Sequence, residues 1–212
     1  IVHSGTWERQ PLPGRFAFKF EVEFGWGPET RLFPDAALKV WEGSLQVPGH
    51  LMGVEKLWNS FGQQILEWRD DRCDFRLTTH RGTETGKWMG PSQVRRESLV
   101  FEVEGGIDDV LTLTVDGEQY ALPVRMLLQG TRIYAQYSQC ERRIIKKFGP
   151  TPHYRDDFIW HCAFKFRVRR AVPSPAYTLN ESFTTTLDAG SQYRLRVWLK
   201  NGDAAWTSPI FC

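Results

Sequence analysis

The side chains that could do chemistry in this chain of 212 residues are five histidines, four cysteines, two groups of carboxylates and nine tryptophans. The histidines, His3, His50, His80, His153 and His161, are scattered, and no His-x-His or His-Glu-x-x-His spacing puts two imidazoles on one face of a strand or helix. No metal site is therefore expected, and no cofactor. There is no Gly-x-Ser-x-Gly elbow to raise a nucleophilic serine, and no glycine-rich phosphate loop before a helix. Glu67, Asp70, Asp71 and Asp74 have the composition of a calcium site or a pair of catalytic carboxylates. Arg69 and Arg72 interleave with them, so a salt-bridged turn is the expected structure; Asp156 and Asp157, beside Arg155, read the same way. No catalytic residue emerges, and the chain reads as a non-enzyme.

Cys73, Cys140, Cys162 and Cys212 are even in number and contain no Cys-x-x-Cys pair. They fit two disulfides in an exported protein, with Cys162 joined to Cys212 because both fall on predicted strands of one C-terminal region. The tryptophans carry the binding hypothesis. Trp58 and Trp88 lie in polar, irregular stretches and could stack on sugar rings, whereas Trp41, Trp160, Trp198 and Trp206 read as core or sheet-flanking. Asn180-Glu181-Ser182 has the form of a glycosylation sequon.

The elements that must hold these residues are strands. Phe16, Phe18, Phe20, Val22 and Phe24 alternate with Lys19, Glu21 and Glu23; Leu99, Phe101 and Val103 alternate with Glu102 and Glu104. Period two with aromatic and β-branched residues marks half-buried strands. Phe158, Trp160, Cys162, Phe164, Phe166 and Val168 read as a further long strand, with His161, Lys165, Arg167 and Arg169 on its outer face. Asp116-Gly117 and Asn201-Gly202 each separate two strand-like runs and suit tight hairpin turns. The apolar phase of "KVWEGSLQV" slips at Glu42-Gly43, which predicts a bulge, and residues 55–62 could form a short helix. The expectation is an all-β chain of ten to thirteen short strands in antiparallel, immunoglobulin- or fibronectin III-like sandwiches. A hydrophobic content of 41% and an aromatic content of 14% supply a core and exclude disorder. No apolar run reaches 18 residues, so no membrane-spanning helix is expected.

Charge divides the chain. Residues 1–139 hold 15 basic and 19 acidic side chains, a net −4, and residues 140–212 hold 12 and 6, a net +6. The expected organisation is an N-terminal extension (1–14), a sandwich lobe (15–139) and a second β lobe (140–212), which could share one composite sandwich. "AFKF" occurs at 17–20 and at 163–166, an offset of 146, but "WRDD" and "YRDD" are offset by 86, so internal duplication is not supported. The two strands instead suggest a pairing: Glu21 and Glu23 beside Arg167 and Arg169, in one sheet or between copies. Nucleic acid is not an expected partner, since the basic half carries no recognition motif.

Residues 166–211 resemble the C-terminal β-sandwich region appended to bacterial secreted metal-dependent hydrolases of the polymerase-and-histidinol-phosphatase type. Tyr193, Arg196, Val197, Asn201, Gly202, Ala205, Trp206, Ser208, Pro209 and Ile210 carry the likeness. The same hairpin is similar to the last two strands of a fibronectin type III domain. The hydrolases' clustered metal-binding histidines are absent here, so the resemblance implies the accessory sandwich without the enzyme. The chain starts at Ile1 and reads as a processed form or an excised piece. The expected function is a non-catalytic, extracellular or cell-surface protein of structural or adhesive role, able to assemble head-to-tail into a filament by strand addition. Its partners would be copies of itself or other surface proteins, with Arg142, Arg143, Lys146 and Lys147 joining the Glu21, Glu23, Arg167 and Arg169 set at the contact. The alternatives are a carbohydrate-binding module using Trp58 and Trp88, or an accessory domain of a secreted hydrolase.

Overall fold

The computed structural model describes residues 14–28, 30, 32–56, 62–81, 94–150, 156–177, 182, 184, 186, 188–198 and 204–212. Trp58, Trp88, the first 13 residues and the Asn201-Gly202 turn lie outside them. The described chain divides into two compact units, residues 1–178 and 179–212.

Two six-stranded antiparallel sheets face each other in the first unit. Sheet A runs in the order β10 (Arg132–Ala135), β11 (Lys165–Val168), β1 (Arg15–Trp26), β7 (Glu97–Gly106) and β3 (His50–Lys56), with β12 (Val172–Pro173) also pairing β1. Sheet B runs β4 (Gln63–Trp68), β5 (Arg72–Arg81), β2 (Leu38–Gln46), β8 (Val110–Val115) and β9 (Glu118–Pro123), with β6 (Val94–Arg95) on β5. The expected all-β sandwich is what forms. Its cause is the alternation already visible in the sequence: Phe18, Phe20, Val22 and Phe24 of β1 and Leu99, Phe101 and Val103 of β7 are buried. They meet the inner face of sheet B directly, with Phe24 5.1 Å from Trp41 and 5.9 Å from Phe75, and Phe75 6.0 Å from Phe101, ring centre to ring centre. Tilted and edge-on aromatic pairs at these distances add to the free energy of burial itself.

The Asp116-Gly117 hairpin forms as expected. Val115 pairs with Glu118, and φ is 50° at Asp116 and 84° at Gly117, the positive values that a tight turn between twisted strands needs. The bulge expected at Glu42-Gly43 does not form, because β2 pairs with β5 without a break from Leu38 to Gln46. Trp41, Gly43 and Leu45 keep one inward phase; the phase only looks broken because the middle inward residue has no side chain. The Phe75 ring fills the gap, so a Cβ on Gly43 would lie 2.6 Å from Phe75 Cζ and 2.7 Å from the Thr114 carbonyl oxygen. Gly43→Ala is therefore expected to destabilise by about 1–3 kcal/mol through overpacking. A lower denaturation midpoint at unchanged m-value is the measurement that checks it.

One further expectation lies largely outside the described residues and another is corrected. Of the helix expected over 55–62, Glu55 and Lys56 belong to β3 and residues 57–61 are outside the description. The run from Phe158 to Val168 is not one strand. It is a short helix, α3 (Asp156–Cys162), then β11. Beside the alternating 158, 160 and 162, the same segment contains the helical i, i+3, i+4 set Ile159, Cys162 and Ala163, the first half-buried and the others buried, and over so short a run the two periods overlap. α1 (Val124–Gln129) follows β9, and α2 (Tyr137–Phe148) follows β10. α2 was hidden by its charge run, yet Cys140 and Ile144 form its buried stripe. Gly149 ends it with φ 82°, its N–H donating to the Ile145 carbonyl, and Lys146 and Lys147 sit where the helix dipole favours cations.

In the second unit, β13 (Gln192–Tyr193) pairs β16 (Ile210–Phe211), and β14 (Arg196–Trp198) pairs β15 (Ala204–Trp206), the two strands that flank Asn201-Gly202. None of its described residues is fully buried.

Candidate functional site

Opposite charges occupy two places in the first unit, and they differ in how far they are already neutralised. The outer face of sheet A is one ion-paired surface. Glu23 of β1 stands opposite Arg167 of β11 in the ladder, as the charge pattern suggested. Arg167 Nε donates to its carboxylate at 3.1 Å, Arg169 Nη2 at 3.0 Å and Arg96 Nη1 at 3.4 Å, and Arg169 Nε also reaches Glu21 at 2.9 Å. The Glu23 side chain is only 7% exposed. Burial pushes its carboxyl up, but the Arg167 hydrogen bonds, the Arg167 and Arg169 charges and Arg96 outweigh that and hold it below the usual carboxylate range. β1 bulges between Phe24 and Trp26, at Gly25 with φ 135°, and this turns Trp26 outward. Its ring then lies 4.8 Å from the Arg96 guanidinium and 5.1 Å from that of Arg167.

Along the same face Lys19 Nζ pairs with Glu55 at 2.8 Å and Glu102 at 3.4 Å, and Tyr177 Oη donates to Glu102 at 2.8 Å. The Glu55 hydrogen bond and the two carboxylates raise Lys19 against its partial burial. These charges are used within the chain and present little net field outward.

The thiols are not joined. All four cysteines are free, which corrects the expected disulfide of Cys162 with Cys212. That expectation placed both on strands of one region, whereas Cys162 closes α3 in the first unit and Cys212 is exposed in the second. Cys140 Sγ donates to the Ile159 carbonyl at 3.3 Å. Burial pushes the thiol of Cys73 up to about 12 and that of Cys140 up to about 11, with Asp74 and Cys162 respectively adding to it, so both stay protonated and unreactive near neutral pH.

The second charged place is a cleft of about 740 Å³ between α2 and β2, lined by Lys39, Val40, Glu42, Asp116, Gly117, Gln139, Arg142, Arg143 and Lys146. The helix contributes positions 139, 142, 143 and 146, an i, i+3, i+4, i+7 series that places them along one stripe. Its floor is stapled by Asp116. One carboxylate oxygen accepts from the Glu42 backbone N–H at 3.1 Å; the other accepts from Gln136 Nε2 at 3.0 Å and from Lys39 Nζ at 2.7 Å. Lys39 is further held 5.1 Å from the Trp41 ring and 5.3 Å from that of Phe164. Arg143 pairs with Asp35 and lies 5.5 Å from the Phe33 ring and 5.0 Å from the Phe164 ring. Lys147 donates to the Leu32 carbonyl. Glu42 is paired with Arg76 at 2.7 Å. Arg142 and Lys146 have no partner among the described residues, and both are exposed.

The eight charged residues singled out in the sequence thus separate into two groups. Glu21, Glu23, Arg167 and Arg169 form the knot on sheet A; Arg142, Arg143, Lys146 and Lys147 lie on α2, where Arg143 and Lys147 are tied down and the other two face solvent. Lys39, Asp116 and Gln139 complete the cleft and were not foreseen. Asp116 was visible only as half of a turn, and nothing local in "ALKVWE" marks Lys39 as a neighbour of α2. The exposed tryptophans among the described residues are Trp68, whose indole N–H donates to the Leu51 carbonyl at 3.2 Å, and Trp206. Glu67 and Asp74 are paired with Arg69 and Arg72, the salt-bridged turn that was expected. Among the described residues no three His, Cys, Asp or Glu side chains gather as metal ligands, and no helix is long and apolar enough to cross a membrane. Comparison with protein-family models, with curated proteins and with solved structures finds no match to this chain.

Proposed function

We propose that the protein is a non-catalytic β-sandwich of adhesive role at a cell surface or outside the cell, whose contact surface is the basic cleft of α2. The carrying observation is the pair Arg142 and Lys146. Among the described residues they are unpaired cations, on a helix whose other cations, Arg143 and Lys147, are anchored on Phe33, Phe148 and Phe164. A fixed element that presents unneutralised charge is suited to holding an anionic partner.

This favours adhesion over a head-to-tail filament built by strand addition. One edge strand of each sheet, β3 and β4, breaks register, between Leu51 and Gly53 and between Ile65 and Glu67, and the exposed Met52 and Leu66 sit at those bulges, while the opposite edges β10 and β9 pair without a break. Bulges on edge strands discourage pairing with a further strand. The knot on sheet A has likewise spent the charges that would join copies. The free thiols do not argue for an oxidising compartment, so the surface location rests on the adhesive reading itself.

The test is bead clustering. Beads coated with the protein are expected to cluster with polyglutamate-coated beads and not with dextran-coated ones. The double substitution Arg142→Ser with Lys146→Ser should abolish clustering. Arg132→Ser with Arg170→Ser, which removes the same charge from exposed positions outside the cleft, should leave it intact. Clustering that survives the first pair, or no clustering with polyglutamate, defeats the proposal. Clustering of protein-coated beads with one another would return the choice to self-assembly.

A further inference from the structure

We infer that the α2 cleft is a binding site for an acidic glycan, a chain carrying sulfate or carboxylate groups on successive sugars; this rests on the adhesive reading and names its partner. Arg142 and Lys146 are four residues apart, so their charges sit one above the other on the helix and repel unless an anion lies between or across them. Behind them Lys39 and Arg143 are already neutralised by Asp116 and Asp35 and packed on aromatic rings, which fixes the wall without consuming the two outer cations. Among the described residues the site therefore offers two unpaired positive charges on an anchored helix, spaced for two anionic groups on one ligand.

Size and lining narrow the ligand. About 740 Å³ is space for several sugar units rather than for one small ion. Gln139 and Glu42 supply a carboxamide and a carboxylate for hydroxyl groups at the same wall and floor. The lining contains no aromatic residue, so there is no platform on which a base could stack, and this disfavours single-stranded nucleic acid. A second copy of the chain is disfavoured too, because the carboxylates of its sheet A face are bound to its own Lys19, Arg167 and Arg169. Gln139 beside the two cations favours, over an acidic polypeptide, an external polymer whose charge is carried on a hydroxyl-rich backbone.

The experiment is calorimetric titration of the whole chain with four probes of matched length: a sulfated tetrasaccharide, a tetragalacturonate, a neutral cellotetraose and a single-stranded oligonucleotide. At least one of the two acidic sugars should bind, weaken with added salt and exceed the neutral sugar and the oligonucleotide by tenfold or more; which of them binds tells sulfate from carboxylate. The Arg142→Ser, Lys146→Ser pair should weaken that binding at least tenfold with an unchanged melting temperature, since neither side chain supports the fold, and the Arg132→Ser, Arg170→Ser pair should leave it unchanged. Equal binding of the neutral sugar or the oligonucleotide, no binding of either acidic sugar, or unaltered binding by the cleft variant overturns the inference. If both acidic sugars fail while polyglutamate beads still cluster through Arg142 and Lys146, the glycan falls and the contact surface stands; if both assays fail, both fall.

Discussion

Trp41→Ala is expected to cost about 3–5 kcal/mol, the range for deleting a buried large aromatic. That is a large share of the roughly 5–15 kcal/mol by which a domain exceeds its unfolded state. Trp41 is fully buried on β2. It meets Phe24 of sheet A at 5.1 Å and Phe164 edge-on at 5.7 Å, so one side chain joins the two sheets and the segment entering β11. Its indole N–H donates to Thr79 Oγ1 at 2.8 Å, inside the core. Alanine removes the ring contacts, opens a cavity and orphans a buried hydroxyl at once. Trp41→Phe separates these contributions. It keeps most of the ring and loses the hydrogen bond, so it should cost about 1–3 kcal/mol. Denaturant unfolding of the three proteins checks the order wild type, Phe variant, Ala variant. Equal stability of wild type and the Ala variant would mean that the two sheets are not clamped here.

The same residue shows which parts of the fold were legible. Aromatic residues at period two in β1 and β7 declare an inner face because so many rings on one side of a strand must be covered by another layer. The Asp116-Gly117 turn was legible because its backbone demands are local. The Glu42-Gly43 bulge was misread because the filling group, the Phe75 ring, comes from another strand 32 residues away in sequence. α2 was missed for a different reason. Five charged residues in "YSQCERRIIKKF" drew attention to charge, while the buried stripe of Cys140 and Ile144, followed by Gly149-Pro150, was the helix signal with its stop. The cleft could be half seen. Arg142, Arg143 and Lys146 stood out as a basic run, but Lys39 and Asp116 join them through tertiary packing that no local pattern encodes.

These corrections bear on function together. Had residues 140–148 been a strand, alternation would still have put Arg142 and Lys146 on one face and Arg143 and Lys147 on the other, but cross-strand acids would have been in reach, as they are for Arg167 and Arg169. As a helix, the run divides by its 3.6-residue period into members that anchor and members that project. Arg142 and Lys146 are free because Arg143 and Lys147 point to Phe33 and its neighbours. Among the described residues the unpaired charge thus stands on a helix that Arg143 and Lys147 anchor. The knot on sheet A has the opposite design, with one buried acid against three bases.

Removing that acid should be the next most damaging change. Glu23→Ala leaves Arg96, Arg167 and Arg169 converging on an empty, nearly buried position, with only Glu21 to hold Arg169. Breaking a buried pair costs about 3–5 kcal/mol, and because these arginines reach water in part, about 2–4 kcal/mol is expected here. Glu23→Gln keeps the shape and one acceptor and should cost less. Acid separates charge from packing. Glu23 is held below its unfolded value, so its charge stabilises the fold above the unfolded carboxylate pKa of about 4.3 and that contribution is lost as pH falls through the lower folded value. The stability gap between wild type and Glu23→Gln should therefore be full at pH 7 and at pH 5 and should narrow below about pH 4. Denaturant unfolding at pH 7, 5, 4 and 3 reads it. A gap that stays constant to pH 3 would mean that the two proteins differ by the hydrogen bonding of carboxyl and amide and not by the charge of Glu23.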